Sequence, residues 1–305
     1  MILIITSSFD ETVKYMLGGN DEFRNQSFRL DVDRLQNYEI NVTGIDWSIS
    51  FGNVTVYSKE IDSIYYRKPT FPNISEYEPV YQYMIQKDII ALINGIVDSF
   101  EGIVISKPHI LRMAENKTFQ LIYAGKNGWL IPDSYIGNSN RVCSIRNGDC
   151  NIIKPLSTGM IEKDGIVTVF HTNMFSKCLE DVSLTPIYLQ EYVEKKYEVR
   201  LTVVGDSFYA VRIDTEDKVD WRRDYEHHKY HVIECPDAIK EKCHKMLTDF
   251  NLSFAAFDFI VTPDEQWVFL ELNPNGQWLW LEKSLNLDIS IKIMEILMNV
   301  QKNSC

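Results

Sequence analysis

The chain has 305 residues, 31 Lys and Arg against 43 Asp and Glu, a net charge of −12 and 45% hydrophobic residues. That hydrophobic content builds a full globular core, divided at this length into about two or three subdomains. The negative balance excludes a duplex nucleic-acid partner, which needs a basic surface, although a few cleft cations still suffice for one nucleotide.

The opening MILIITSSFDETV predicts a short apolar strand over Met1 to Thr6 and a helix from Asp10 and Glu11 to about Met16. Its apolar run is too short for a signal-peptide core, and no later stretch reaches the length of a membrane span. Strands are predicted at Ser27 to Leu30, Asn53 to Tyr57 and Ser63 to Tyr66, and an amphipathic helix at Val80 to Phe100. Residues 1–105 therefore form an α/β unit with a partly parallel sheet. A buried strand at Val104 and Ile105 leads into a helix from about Glu115 to Ala124, stopped by Gly125, and then into short β segments rich in turn residues. This makes residues 106–184 a small β-rich lid. From 185 to 305 the pattern is mostly antiparallel β, capped by a helix from about Asp288 to Val300. The fold class is thus α/β (α+β). None of Cys143, Cys150, Cys178, Cys235, Cys243 and Cys305 forms a C-x-x-C pair, and the histidines complete no zinc pattern. Reduced thiols and a cytoplasmic location follow.

The most informative segment is Phe254 to Gly276, FAAFDFIVTPDEQWVFLELNPNG. Two strand-like runs flank a turn over Pro263 to Gln266. A register that pairs Thr262 with Trp267 sets Asp258 directly opposite Glu271, with Asn273 two residues on and on the same face. The other face, Phe257, Phe259, Val261, Val268, Leu270 and Leu272, is apolar and pins the register. Opposed carboxylates repel, and a hard cation held by both removes the repulsion. With the Asn273 amide oxygen the set suits Mg²⁺. Ala256, Ile260 and Phe269 share the carboxylate face and make it too apolar to be merely solvated.

A cation so placed commonly also holds phosphates. Lys117, opening the helix, and Lys154, on the apolar strand Asn151 to Pro155, have the charge for that role, though either alone is an ordinary surface lysine. Pro186 to Val193 is an apolar strand ending in Gln190 and Glu191. Gln190 offers an acceptor for an adenine amino group, and the backbone of Glu191 and Val193 offers edge contacts.

The order of these features resembles the ATP-grasp superfamily: Lys117, Lys154, the Gln190-Glu191-Tyr192-Val193 hinge, then Asp258 and Glu271-Leu272-Asn273-Pro274. The resemblance spans about 104–280. It implies an N-terminal α/β domain, a small central lid and a C-terminal antiparallel-sheet domain. It also implies phosphate contacts from Lys117 and Lys154, adenine contacts from Gln190, Glu191 and Val193, ribose binding by Glu198, and Mg²⁺ at Asp258, Glu271 and Asn273. The loop after Lys154, Pro-Leu-Ser-Thr-Gly-Met, departs from the glycine run of many members.

Within the superfamily the chain looks like the microviridin-type graspetide ligases. The matching pieces are Phe28 to Asp33, Tyr65-Tyr66-Arg67-Lys68-Pro69, Tyr197-Glu198-Val199-Arg200, Arg212-Ile213-Asp214, Asp220-Trp221-Arg222 and Asn273 to Trp278. Arg67-Lys68 stands where an Arg-Arg pair is expected. The resemblance implies that ATP phosphorylates an Asp or Glu side chain of a ribosomal precursor peptide, made of leader and core. A Thr or Ser hydroxyl or a Lys amine then closes an ester or amide ring. A homodimer is compatible, and neither nucleic acid nor membrane is expected as partner. An arginine would hold the acyl phosphate. Arg212 is the first choice and Arg200 the second, because a two-residue hairpin at Gly205-Asp206 sets them on opposite faces. Asp220 and Arg222 fall in a charged loop that could meet the acceptor nucleophile. The rival readings are a ligase that joins amino acids or extends a protein C-terminus, and a non-catalytic nucleotide-binding module.

Overall fold

A computed structural model of the chain describes residues 1–139, 151–157, 160–163, 166–169, 172–175, 182–215 and 228–298. In chain order the N-terminal strands are β1 (Ile2–Thr6), β2 (Ser27–Asp31), β3 (Tyr38–Thr43), β4 (Asp46–Phe51), β5 (Val54–Tyr57), β6 (Ser63–Tyr66) and β7 (Ile103–Ile105). The helices among and after them are α1 (Glu11–Gly19), α2 (Asp21–Asn25), α3 (Pro79–Ser99), α4 (Pro108–Ala114) and α5 (Lys117–Lys126). β2, β1, β6 and β7 form a parallel sheet in that order. Its central strand is apolar at every position up to Ile5 because both faces are covered. Leu3 and Ile5 join a core with Ile93, Ile96 and Val97 of α3, whereas Ile2 and Ile4 join one that includes Val13, Phe254 and Ile293. β3, β4 and β5 make an antiparallel meander whose Trp47, Ile49 and Val56 close the first of these cores.

Next come β8 (Ser134–Gly137), β9 (Asn151–Lys154), β10 (Met160–Lys163), β11 (Ile166–Val169), β12 (Asn173–Phe175) and β13 (Ile187–Glu191). They make a sheet of order β12-β9-β13-β8 and a hairpin, β10-β11. Then follow β14 (Tyr197–Val204), β15 (Ser207–Asp214), β16 (Lys229–Val232), α6 (Asp237–Asp249), β17 (Phe254–Val261), β18 (Trp267–Asn273), α7 (Leu279–Leu285) and α8 (Ile289–Met298). The strands form an antiparallel sheet of order β16-β15-β14-β17-β18. One face packs on α4, α5 and α6 through Val199, Phe257, Phe259, Trp129 and Cys243. No helix among the described residues is long and apolar enough to cross a membrane.

The C-terminal helix ties the outer sheets together. Val204 and Phe254 share a core with Ile289 and Ile293 of α8, and the Ser63 hydroxyl donates to the Leu297 carbonyl at 2.8 Å. The start of α8 is held by Glu282, which is buried and accepts from the Ser290 backbone N–H (2.6 Å) and hydroxyl (2.5 Å). Glu282→Ala leaves two buried donors without an acceptor. We expect a loss of about 2–3 kcal/mol of unfolding free energy, measured as a lower urea midpoint at unchanged slope.

The structure departs from the sequence expectations at five places. The helix expected from Glu115 to Ala124 is α5, and a further helix, α4, precedes it, the two parted at Asn116, whose side chain accepts from Phe119 N–H to cap α5. β3 and β4 were not expected; outward residues of β3 are polar and apolar alike, so no clean alternation marks it. α6 was read as β, although Cys243, Met246 and Leu247 are its buried stripe at helical spacing. β13 hydrogen-bonds to both β8 and β9, so the central sheet takes in a strand from beyond residue 184. The fifth is the register of the β17-β18 hairpin, which bears on the site.

Candidate active site

The site grows from the register of three strands. Gly205, at φ +54° in the β14-β15 turn, allows the tight reversal. Val204 then pairs with Ser207 and Val199 with Arg212, as the two-residue loop predicts. On its other side β14 pairs with β17, so Arg200 lies across from Asp258, and Asp258 lies across from Glu271 on β18. Alternation places Glu198, Arg200, Asp258 and Glu271 on one face, and Val199, Phe259 and Arg212 on the other.

The Asp258–Glu271 pairing holds although the turn is not the one expected. Val261, and not Thr262, pairs with Trp267, and a bulge beside Phe259 restores the register before Asp258. The cause is aromatic packing. Phe269 turns into the helix-covered core, its ring 4.7 Å from Trp129 and 5.9 Å from Phe259, and its N–H donates to Leu130 O at 2.8 Å. Leu270, the extra residue of the bulge, lines a narrow slot with Lys117, Ile131, Tyr188 and Gln190, to which Phe269 also contributes. Phe269 thus takes the core face, which simple alternation assigns to Leu270.

The carboxylates are held by donors alone. Arg200 Nη1 donates to both oxygens of Asp258, at 2.8 and 2.9 Å, and both side chains are buried. Lys117 Nζ is 3.6 Å from Glu271 and donates to Pro155 O at 2.9 Å. Asn273 Nδ2 spans the pair, 3.0 Å from Asp258 and 3.5 Å from Glu271. Rotation of that amide about its last torsion presents its oxygen beside the two carboxylates. This oxygen-only set with two negative charges fits a hard divalent cation.

The slot lies between the central and C-terminal sheets. Lys154 Nζ donates to Gln190 Oε1 at 2.8 Å and sits 4.7 Å above the Tyr188 ring. Gln190 Nε2 donates to Ser134 Oγ and Tyr188 Oη. Burial raises the Tyr188 phenol above its ordinary pKa, keeping it a neutral hydrogen-bonding group. The Glu191 N–H donates to Asp133 O at 2.8 Å, and Val193 follows in the crossing segment toward β14. Glu198 is buried and ion-paired with Lys195.

A larger cleft of about 790 Å³ adjoins the carboxylates, lined by Arg200, Asn273, Gly276, Glu115, Lys68 and Trp280 among others. Its floor is the loop after β18. Gly276 has no room for a side chain: an added Cβ would stand 2.6 Å from Arg200 Nη2 and 2.7 Å from Ala256 Cβ. Arg67, 1% exposed, grips the same loop, with Nη1 donating to Asn275 Oδ1 (2.7 Å) and Nη2 to Gln277 Oε1 (2.6 Å). Tyr230 stacks near Trp280, their rings 5.0 Å apart, on the cleft side of β16. Arg67, Glu115, Gly276 and Tyr230 had no assigned part in the sequence reading. A buried arginine reaching a loop more than 200 residues away leaves no local signature.

Arg212 stands elsewhere. Its guanidinium donates to Asp214 (2.7 and 2.9 Å) and lies 4.3 Å over the Tyr197 ring, on the face opposite Asp258. It cannot reach a phosphoryl group held at Asp258 and Glu271 without crossing the sheet. Asp220 and Arg222 lie outside the described residues.

No family model and no curated protein matches the chain. Solved structures do. An ATP-grasp ligase associated with ribosomal peptides in Chryseobacterium gregarium, in complex with ADP and a leader and core peptide, superposes with a TM-score of 0.88 at 24% identity, covering 98% of this chain and 96% of that one. The macrocyclase MdnC of Microcystis aeruginosa, bound with precursor peptide MdnA, gives 0.87 at 26% identity over 98% and 99%. The ATP-grasp ligase PsnB, complexed with a minimal precursor, Mg and ADP, gives 0.77 at 18% over 99% and 98%. The chain therefore has the ATP-grasp fold, in the whole-chain form of the ligases that macrocyclise ribosomal peptides.

Proposed function

We propose that the protein is an ATP- and Mg²⁺-dependent ligase that activates side-chain carboxylates of a ribosomal precursor peptide and closes them onto Thr or Ser hydroxyls or Lys amines. The observation that carries this reading is the arrangement of Asp258, Glu271 and Arg200, set between the Gln190 slot and the 790 Å³ cleft. The slot as it stands encloses only about 10 Å³, so a nucleotide would enter by parting the central and C-terminal sheets there, and would meet a peptide side chain in the cleft at those residues.

ATP would lie with its adenine against Leu270, Tyr188 and the hinge at Gln190, Glu191 and Val193, its ribose near Glu198 and its phosphates toward Lys117 and Lys154. Mg²⁺ at Asp258, Glu271 and Asn273 supplies charge neutralisation for the transferring phosphoryl group. An oxygen of the peptide carboxylate attacks the γ-phosphorus, the bond to the β-phosphate oxygen breaks, and ADP leaves. The nucleophile then attacks the acyl carbon and gives up its proton as inorganic phosphate departs. Arg200 would hold the acyl phosphate; what supports it over Arg212 is that it lines the cleft on the carboxylate face, whereas Arg212 lies on the far face. A reducing cytoplasm suits the enzyme, whose described cysteines, Cys235 and Cys243, are buried free thiols.

The test is mass spectrometry of a short precursor encoded beside the gene, incubated with the protein, ATP and Mg²⁺. Loss of one water per cross-link is expected, and a precursor left unchanged while free amino acids are ligated would favour the amino-acid-ligase reading. Within this scheme Lys154→Ala should weaken ATP binding about tenfold, the loss of one charge-assisted contact. Calorimetric titration with a non-hydrolysable ATP analogue measures it, and an unchanged Kd would remove Lys154 from the phosphate site.

A further inference from the structure

Lys68 stands at the junction of two cavities. It lines the cleft shared by Arg200 and Asn273, and also an adjoining cavity of about 480 Å³ lined by Asp10, Glu11, Phe9, Gln277, Trp280 and Lys283 among others, in which Glu11 is already paired with Lys14. Its backbone is fixed in the left-handed region at φ +44°. The Ser7 hydroxyl donates to its carbonyl at 2.9 Å and accepts from Thr70 N–H at the same distance. A β6 extension that ends in such a locked turn presents the lysine to the cavities as a built feature, at a cost in backbone strain.

The charges around Lys68 do not balance it. Arg67 and Arg200 are near enough to push its ammonium down to about 8, together with burial, which is the larger cause. The nearby acids are Asp10 and Glu115. Asp10 is committed to its own helix: Oδ1 accepts from Thr12 and Val13 N–H, and Oδ2 from the Thr6 hydroxyl. Burial raises the Glu115 carboxyl despite the attraction of Lys68. No carboxylate lies within ion-pair distance of Lys68 among the described residues. Arg67 itself, buried, meets only amide and carbonyl oxygens. Three cations thus converge beside the Asn273–Gln277 loop, and among the described residues Asp258, paired to Arg200, is the only carboxylate in contact with any of them.

We infer that Lys68 receives a second carboxylate of the peptide, distinct from the one activated beside Arg200, so that the cleft selects substrates carrying two acidic side chains. The inference rests on the peptide-ligase reading for the source of those carboxylates. Lys68 suits the second group because it alone of the cleft cations also faces the adjoining cavity, away from Asp258 and Glu271. An ammonium has no fork to align a reacting group, and a bound carboxylate needs only the charge.

The test uses three capped tetrapeptides on the full chain with ADP and Mg²⁺: all-glutamate, one glutamate among glutamines, and all-glutamine, with binding read by calorimetry. The wild type should prefer tetraglutamate over the single-glutamate peptide by about tenfold beyond the fourfold statistical factor, as one charge-assisted contact implies. Lys68→Met should lose that preference while keeping its ADP affinity, and Lys68→Arg should keep both. A structural role alone would weaken both glutamate peptides together. Lys68→Met retaining the preference, or a wild type without it, would overturn the assignment. If tetraglutamate is selected through Lys68 but no precursor is ever dehydrated, the ligase reading falls and the carboxylate site stands.

Discussion

Glu271→Gln should reduce turnover by on the order of 10²–10³-fold and leave the fold intact. The amide keeps the size of the side chain but removes one of the two charges that would face the proposed divalent cation. In the free protein Glu271 stands opposite Asp258, with Lys117 at 3.6 Å and the Asn273 amide at 3.5 Å beside it. Removing its charge relieves repulsion with Asp258, so the melting temperature should hold or rise slightly. Asp258→Asn is a less clean experiment. Asp258 is the buried partner of Arg200, and breaking such a pair strands a buried guanidinium at a cost of about 3–5 kcal/mol. The two variants should therefore lose activity together and stability apart. Wild-type rates for Glu271→Gln at saturating Mg²⁺ would remove the metal assignment.

How far the sequence carried depended on whether a feature was periodic or not. The opposition of Asp258 and Glu271 was legible because period-two alternation and a short turn fix a register. It survived a wrong turn because the bulge at Phe269 to Glu271 compensates for the longer loop. That bulge was not legible. Whether Phe269 or Leu270 faces the core depends on Trp129, which lies over 100 residues earlier and supplies the aromatic partner. The opposite facing of Arg200 and Arg212 was legible from Gly205-Asp206. That Arg200 is the one to share a face with Asp258 and Glu271 was not, because it depends on β14 pairing with β17, a long-range choice that no local pattern encodes. The cleft loop is the hardest case. Gly276 sits against Arg200 and Arg67 grips Asn275 and Gln277, and only the packed structure brings those three segments together.

Arg200→Lys should lower kcat about 10²-fold with little change in the KM for ATP, whereas Arg212→Lys should stay within about threefold of wild type. The first substitution keeps a positive charge beside Asp258, so the buried carboxylate is not stranded. It removes the planar fork that could hold two oxygens of an acyl phosphate while still contacting Asp258. A Cβ added at Gly276 would stand 2.6 Å from Nη2, so the fork is seated closely against that loop. The lysine is shorter in reach and rounder in charge, and would satisfy Asp258 first. In the proposed scheme Lys117, Lys154 and the hinge hold the nucleotide from the other side, so the loss should fall on the transferring group and appear in kcat. Arg212 makes a poor counter-candidate, because its donors are spent on Asp214 and its face looks toward Tyr197. Steady-state rates with ATP varied at saturating precursor separate the outcomes. If Arg212→Lys shows the large kcat loss, the active face of the sheet has been misassigned; if Arg200→Lys raises only the KM for ATP, Arg200 binds nucleotide and does not hold the acyl phosphate.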